Sequence, residues 1–129
     1  RVDNTQYRLL KATTPGSYTF ILEGTRELPR RLLHPKRKTI GLRVPNHPLA
    51  LALLEELNEP LLTSTLILPG FEAPLADADE IRQHLEKLLD LVIDAGQCGT
   101  AMTTVINLTG AQPELVRAGQ GPLAPFGLE

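Results

Sequence analysis

Arg43 stands inside a short apolar run, Ile40 to Val44, directly before a proline-punctuated turn, Pro45 to Pro48, and a leucine-rich stretch. A cation carried at the end of a strand, just before a strand-to-helix turn, lies where open α/β sheets keep their ligand chemistry. Three further groups invite the same reading. Thr63, Ser64 and Thr65 fall near the end of an apolar run that stops at Pro69-Gly70, and Thr103 and Thr104 follow the loop containing Gly99. Strand hydroxyls ordinarily satisfy local backbone groups, and at a C-terminal strand edge they also face phosphate or ribose. Arg117, close to Gly119, is either a plain surface residue or a planar fork for a phosphate.

Other chemistries find little footing. Ser17 and Ser64 are the serines of the chain, and His34, His47 and His84 bear no diagnostic relation to either. No nucleophilic triad is legible and no catalytic residue is assigned. One cysteine and three scattered histidines lack ligand spacing, so no metal site is expected. Cys98 would be reactive if exposed, but a small buried residue is the expectation. Neither a Gly-x-Gly-x-x-Gly fingerprint nor a P-loop is present.

The net charge is −2 and the pI about 5.9, so bulk charge does not call for nucleic acid. The distribution says more. Seven of the 13 Lys and Arg residues lie between Arg26 and Arg43, against the single acid Glu27. Arg30, Arg31, Lys36, Arg37 and Lys38 form a patch suited to a phosphate-bearing partner, or else a solvated basic face.

These residues need a scaffold, and 129 residues suffice for one domain with a real core. With no Trp, two Tyr and three Phe, that core is expected to be built mainly from Leu, Ile, Val and Ala. A single cysteine excludes an internal disulfide framework and favours a reducing compartment; with no apolar run long enough to span a bilayer and no leader pattern, cytoplasm is the expected location.

Residues 3–11 read as helix without a proper lead-in, as if internal to a longer protein. Pro15-Gly16 breaks it, and Ser17 to Glu23 reads as a strand. A helical turn follows near Pro29 and ends at Pro35; the strand Thr39 to Val44 comes next. Asn46 or His47 caps a helix, Leu49 to Leu57, that is apolar on most sides and expected to be well buried. Leu61 to Leu68 reads as a strand buried on both faces. Asp77 with Glu80 resembles a capping box for a helix over 79–89, whose Ile81, Leu85, Leu88 and Leu89 form one stripe. Strands are expected at Leu91 to Asp94, Thr103 to Leu108 and about Leu115 to Arg117. This order predicts an α/β fold with a twisted, open, mixed parallel and antiparallel sheet and flanking helices.

Five ordered segments give the chain a family likeness: TPGSYTFIL, RKTIGLRVPNHP, EPLLTSTLILPG, DLVIDAGQCGTAMTTVINLT and VRAGQG. Together they resemble the YrdC/YciO-type family, which includes threonylcarbamoyl-AMP synthases, with the YciO branch nearest. The resemblance implies a YrdC-like sheet with a large basic cavity that takes ATP as substrate, threonine and bicarbonate. Mg²⁺ is compatible with that chemistry. The product would supply the threonylcarbamoyl group placed on certain tRNAs. The family is also described as binding double-stranded RNA and as containing translation factors.

Carried onto this sequence, the resemblance makes Thr19 the threonine of a Pro-Gly-x-x-Thr segment and Arg43 the arginine before Val-Pro, both lining the cavity. Thr65 matches the serine of a Ser-x-Asn nucleotide-binding element, Thr103 and Thr104 a Ser-Thr pair, and Arg117 a late phosphate-facing arginine. Two departures stand out. Ile67 replaces the asparagine of the synthases, and the family's Tyr-Pro-Thr and Lys-x-Arg segments have no counterpart. The chain is therefore expected to be the C-terminal two-thirds of a longer YrdC-like domain, inactive as a synthase by itself. Self-association covering the surface left by the missing part is a further expectation.

Overall fold

A computed structural model describes residues 1–99 and 101–129. The elements run α1 (Asn4–Thr13), β1 (Tyr18–Glu23), a 3₁₀ turn (Arg30–Leu32), β2 (Thr39–Leu42), α2 (Pro48–Leu57), α3 (Ala78–Leu85), β3 (Thr104–Asn107), β4 (Glu114–Arg117) and a final 3₁₀ turn (Ala124–Phe126). The chain divides into two compact units, one of residues 1–51 and 102–129, the other of residues 52–101. Among the described residues no helix is long and apolar enough to cross a membrane.

The first unit is built on a four-stranded sheet in the order β2-β1-β3-β4. β1 runs antiparallel to β2 and parallel to β3, while β3 and β4 are antiparallel. The sheet is mixed, as the sequence predicts. Alternation along β1 sends Tyr18, Phe20 and Leu22 to one face; Thr104, Ile106 and Leu108 join them from β3. α1 and the final 3₁₀ turn cover this face, with Leu9, Leu10, Leu123 and Leu128 packed against it. Leu and Ile make up most of this core, as expected, with aromatic rings at its centre. Three of the five aromatic side chains meet in it, Tyr18 edge-on to Phe126 at 5.2 Å and stacked on Phe20 at 5.6 Å. A scarce residue type has been concentrated where its large buried area counts most.

α1 also has the lead-in that the sequence reading denied it. Asp3 accepts from the Gln6 N–H at 2.8 Å, and the Gln6 side chain accepts from the Asp3 N–H at 2.9 Å, a reciprocal capping box. The Gln6 amide then donates to the Leu108 carbonyl at 2.6 Å, tying the helix to the end of β3.

The second unit departs most from expectation. Neither Leu61 to Leu68 nor Leu91 to Asp94 forms a strand, and Leu62 and Leu91 are each more than 70% exposed, at 79% and 75%. Strand propensity makes no strand without a neighbouring backbone to pair with, and the sheet recruits neither segment. Residues 52–57 end α2, which buries no side chain; Leu49, Leu53 and Leu57 are exposed, against the expectation of burial. His47 is the cap, its Nδ1 accepting from the Leu49 N–H at 3.2 Å. α3 stops at Leu85, leaving Leu88 and Leu89 off the predicted stripe, and Asp77 makes no side-chain capping bond. Cys98 is exposed rather than buried.

Candidate functional site

The second face of the sheet carries the polar alternates of the same strands. Thr19 on β1 and Thr103 just before β3 meet there through their hydroxyls at 2.8 Å. Arg117 closes on Thr103 from β4: Nε and Nη2 donate to its carbonyl at 3.1 and 2.8 Å, and Nη2 also reaches its hydroxyl at 3.0 Å. Three residues separated by up to 98 positions thus form one row, Thr19–Thr103–Arg117. Arg117 remains exposed, and Nη1 has no protein partner among the described residues. A guanidinium held at one edge by a carbonyl, with its other amino group free, is oriented to receive an anion.

A β-bulge sets that aim. Ile106 pairs with Leu115 and Asn107 with Glu114, yet Val105 pairs with Arg117, leaving Val116 unpaired. Because side chains alternate along a strand, regular pairing would set Val116 opposite Val105 and turn Arg117 to the core face. The extra residue puts both on the polar face.

The segment after β4 is pressed against the ends of β1 and β3. A Cβ on Gly119 would lie 2.4 Å from the Thr103 backbone, and one on Gly121 2.5 Å from the Tyr18 ring. Glycine is the residue that fits such approaches. Thr104, fully buried, donates its hydroxyl to the Gly121 carbonyl at 2.7 Å, and Tyr18 donates to the Pro122 carbonyl at 2.6 Å. Burial pushes the Tyr18 phenol above its ordinary value. Thr104 therefore lies on the core face, away from the row, though its neighbour Thr103 belongs to it.

Arg43 follows the last residue of β2 and is exposed. The paired register ends at Phe20 opposite Leu42, and just beyond Arg43 the Gly16 N–H donates to the Val44 carbonyl at 2.9 Å. Thr65 lies in the second unit, exposed, its carbonyl taking the Ile67 N–H at 3.1 Å.

The five patch cations are all exposed and make no ion pair among the described residues. Arg30 and Arg31 sit on the first 3₁₀ turn; Lys36, Arg37 and Lys38 form the turn into β2. That turn is fixed by His34, whose spacing in the sequence assigns it no role. Its N–H donates to the Thr39 carbonyl at 2.8 Å, and its carbonyl accepts from the Lys38 N–H at 2.9 Å. Its Nδ1 accepts from the Lys36 and Arg37 N–H groups at 3.2 and 3.1 Å.

Between this segment and the polar sheet face opens a cleft of about 680 Å³, lined by Ile21, Leu33, His34, Arg37, Asn107 and Val116 among others. Sequence reasoning missed Asn107, although it continues the alternation from Thr103 through Val105 along β3. Among the described residues no group of His, Cys, Asp and Glu gathers to hold a metal ion.

Residues 1–119 match the Sua5_yciO_yrdC family, described as "Telomere recombination". The chain is 56% identical over 125 residues to "Uncharacterized protein YciO" of Escherichia coli, covering 97% of this chain and 61% of that protein. It is 30% identical over 112 residues to the threonylcarbamoyl-AMP synthase of Bacillus subtilis, covering 86% of this chain and 32% of the relative. The crystal structure of E. coli YciO superimposes with a TM-score of 0.90 over 97% of this chain and 61% of that one. Sua5 of Pyrococcus abyssi complexed with L-threonine gives a TM-score of 0.83 at 26% identity, over 96% of this chain and 36% of that one. The chain thus spans about three-fifths of the YciO relative it matches.

Proposed function

The chain belongs to the Sua5/YciO/YrdC family, and from that premise we propose that it is the larger part of a YciO-like nucleotide-binding protein related to the threonylcarbamoyl-AMP synthases. The observation that carries this reading is the hydrogen-bonded row Thr19–Thr103–Arg117 on the polar sheet face, with Arg43 exposed directly after β2. Arg117 and Arg43 supply positive charge for the phosphates of ATP, and the threonine hydroxyls supply hydrogen bonds to the adenylate or to bound threonine. A relative crystallised with L-threonine supports that amino acid as co-substrate. Thr104 serves by holding the strand that presents Thr103.

In the complete reaction a threonine-derived carbamate oxygen attacks the α-phosphorus of ATP. The bond to the β-phosphate oxygen breaks and pyrophosphate leaves. Mg²⁺ would enter with the triphosphate, whose oxygens suit it better than any protein cluster. Catalysis of this kind is positioning and charge neutralisation, and it requires a closed set of cations around the phosphates. The 129-residue chain, without a Lys-x-Arg segment, is expected to release pyrophosphate from ATP, threonine and bicarbonate no faster than background. Robust turnover by this chain would overturn the proposed dependence on that segment. The exposed, free Cys98 accords with a cytoplasmic setting.

A second reading, an RNA-binding module without catalysis, is favoured by the five exposed patch cations, which make no ion pair among the described residues. Such binding is dominated by phosphate contacts and must fall steeply with salt. Double-stranded RNA or tRNA affinity that survives neutralising Lys36, Arg37 and Lys38 counts against it.

A further inference from the structure

The cleft beside the His34 turn is separate from the row that carries the proposed function; Thr19, Thr103 and Arg117 do not line it. We infer that this cleft is a binding site for a phosphate monoester borne on a small apolar body. Three features of its walls argue for that ligand.

The first is a pre-set pair of donors. His34 Nδ1 is occupied as the acceptor of two backbone N–H groups, so the ring proton resides on Nε2 and the cleft-lining imidazole offers a donor there. Arg37, three residues on in the same turn, lines the same cleft and has no acidic partner among the described residues. Its planar fork matches two oxygens of a phosphate, and the turn that carries it is already fixed by backbone hydrogen bonds.

The second is the sheet wall. Asn107 Oδ1 accepts both the N–H and the hydroxyl of Thr109, at 2.9 and 2.7 Å, and its amide N–H₂ has no acceptor among the described residues. Ile21, Leu33 and the bulged Val116 add apolar surface for the body of the ligand. A few polar donors and an apolar wall lining about 680 Å³ have the make-up of a small-molecule pocket.

The third is charge. Arg30, Arg31, Lys36 and Lys38 are exposed, without an ion pair among the described residues, in the segment that forms the outer wall, so the local potential favours a dianion over a neutral ligand. Glu23 is the acid of the lining, and its carboxylate lies 3.7 Å from the Arg1 guanidinium.

The test is an NMR titration of the ¹⁵N-labelled chain with phenyl phosphate. Saturable shifts are expected at the amides of Arg37, Thr39 and Asn107 and at the His34 ring nitrogens. Arg37→Met, at an exposed position without an ion pair among the described residues, is expected to weaken binding by about tenfold or more. Lys36→Met, a neighbouring charge outside the lining, should cost markedly less. Equal losses in the two variants would reduce the effect to long-range charge and overturn the site. So would shifts centred on Thr103 and Arg117, an outcome that leaves the nucleotide reading standing. Absence of saturation below ~10 mM, weaker than any useful site, overturns it as well. Failure of AMP to bind, with phenyl phosphate still saturating at His34, would instead sink the nucleotide reading and spare this one.

Discussion

Arg117 was visible in the sequence as an arginine near glycine, but nothing in its neighbours revealed that it spends half of its fork on the Thr103 carbonyl. That partner lies 14 positions away and is reached through tertiary pairing. Lysine at this position has the charge without the fork. Arg117→Lys is expected to leave the fold intact and to weaken AMP binding about tenfold, which is about 1.4 kcal/mol, measured by calorimetry. Tyr18 offers a second test. Burial raises its folded-state pKa above the ordinary 10.0 of the phenol, so the folded state retains its proton to higher pH than the unfolded state. The contribution is whole below about pH 10 and is lost as the pH climbs past it, because the unfolded chain gains by ionising first. Tyr18→Phe should lose about 1–2 kcal/mol at neutral pH, from the unpaired Pro122 carbonyl, and show a shallower alkaline decline in urea melts.

At the scale of elements, β1 and β3 were readable because β-branched and aromatic residues alternate and because the two strands pair with each other. The same reasoning failed for Leu61 to Leu68, where composition favours a strand but no partner backbone is present in the sheet. The bulge in β4 was beyond reach, since its existence depends on how two strands are counted against each other. The glycines of VRAGQG have a physical reason: Gly119 lies where a Cβ would strike the Thr103 backbone. Backbone cannot swing aside as a flexible side chain can, so Gly119→Ala is expected to cost about 1–3 kcal/mol and to loosen Thr103 and Arg117 together. Denaturant unfolding measures the first effect. Loss of the Arg117 side-chain resonance position by NMR measures the second.

Taken as a whole molecule, the chain divides its order unevenly. The first unit holds the sheet, the aromatic cluster and the buried hydrogen bonds of Thr104 and Tyr18, whereas the second has α3, the end of α2 and long stretches without ladder pairing. Local stability follows the density of buried apolar contacts and protected backbone bonds. Amides of β1 and β3 should therefore exchange near the global unfolding limit, while those of 58–76 and 90–99 should exchange orders of magnitude faster, read by hydrogen exchange with mass spectrometry. Uniform protection across both units would contradict this. The mixed α/β sheet was legible from the order of elements and from the family likeness. The division into units was not, because apolar residues such as Leu62 and Leu91 look like core material on paper and are exposed in the fold.

The unpaired residue in β4 also makes the two proposed sites separable by heredity. Deleting Val116 alone would restore one-to-one pairing with β3 and keep the arginine opposite Val105, its present partner. The same deletion would strip an apolar wall from the cleft beside His34. A single lost codon would thus weaken one binding site and leave the arginine of the other in place.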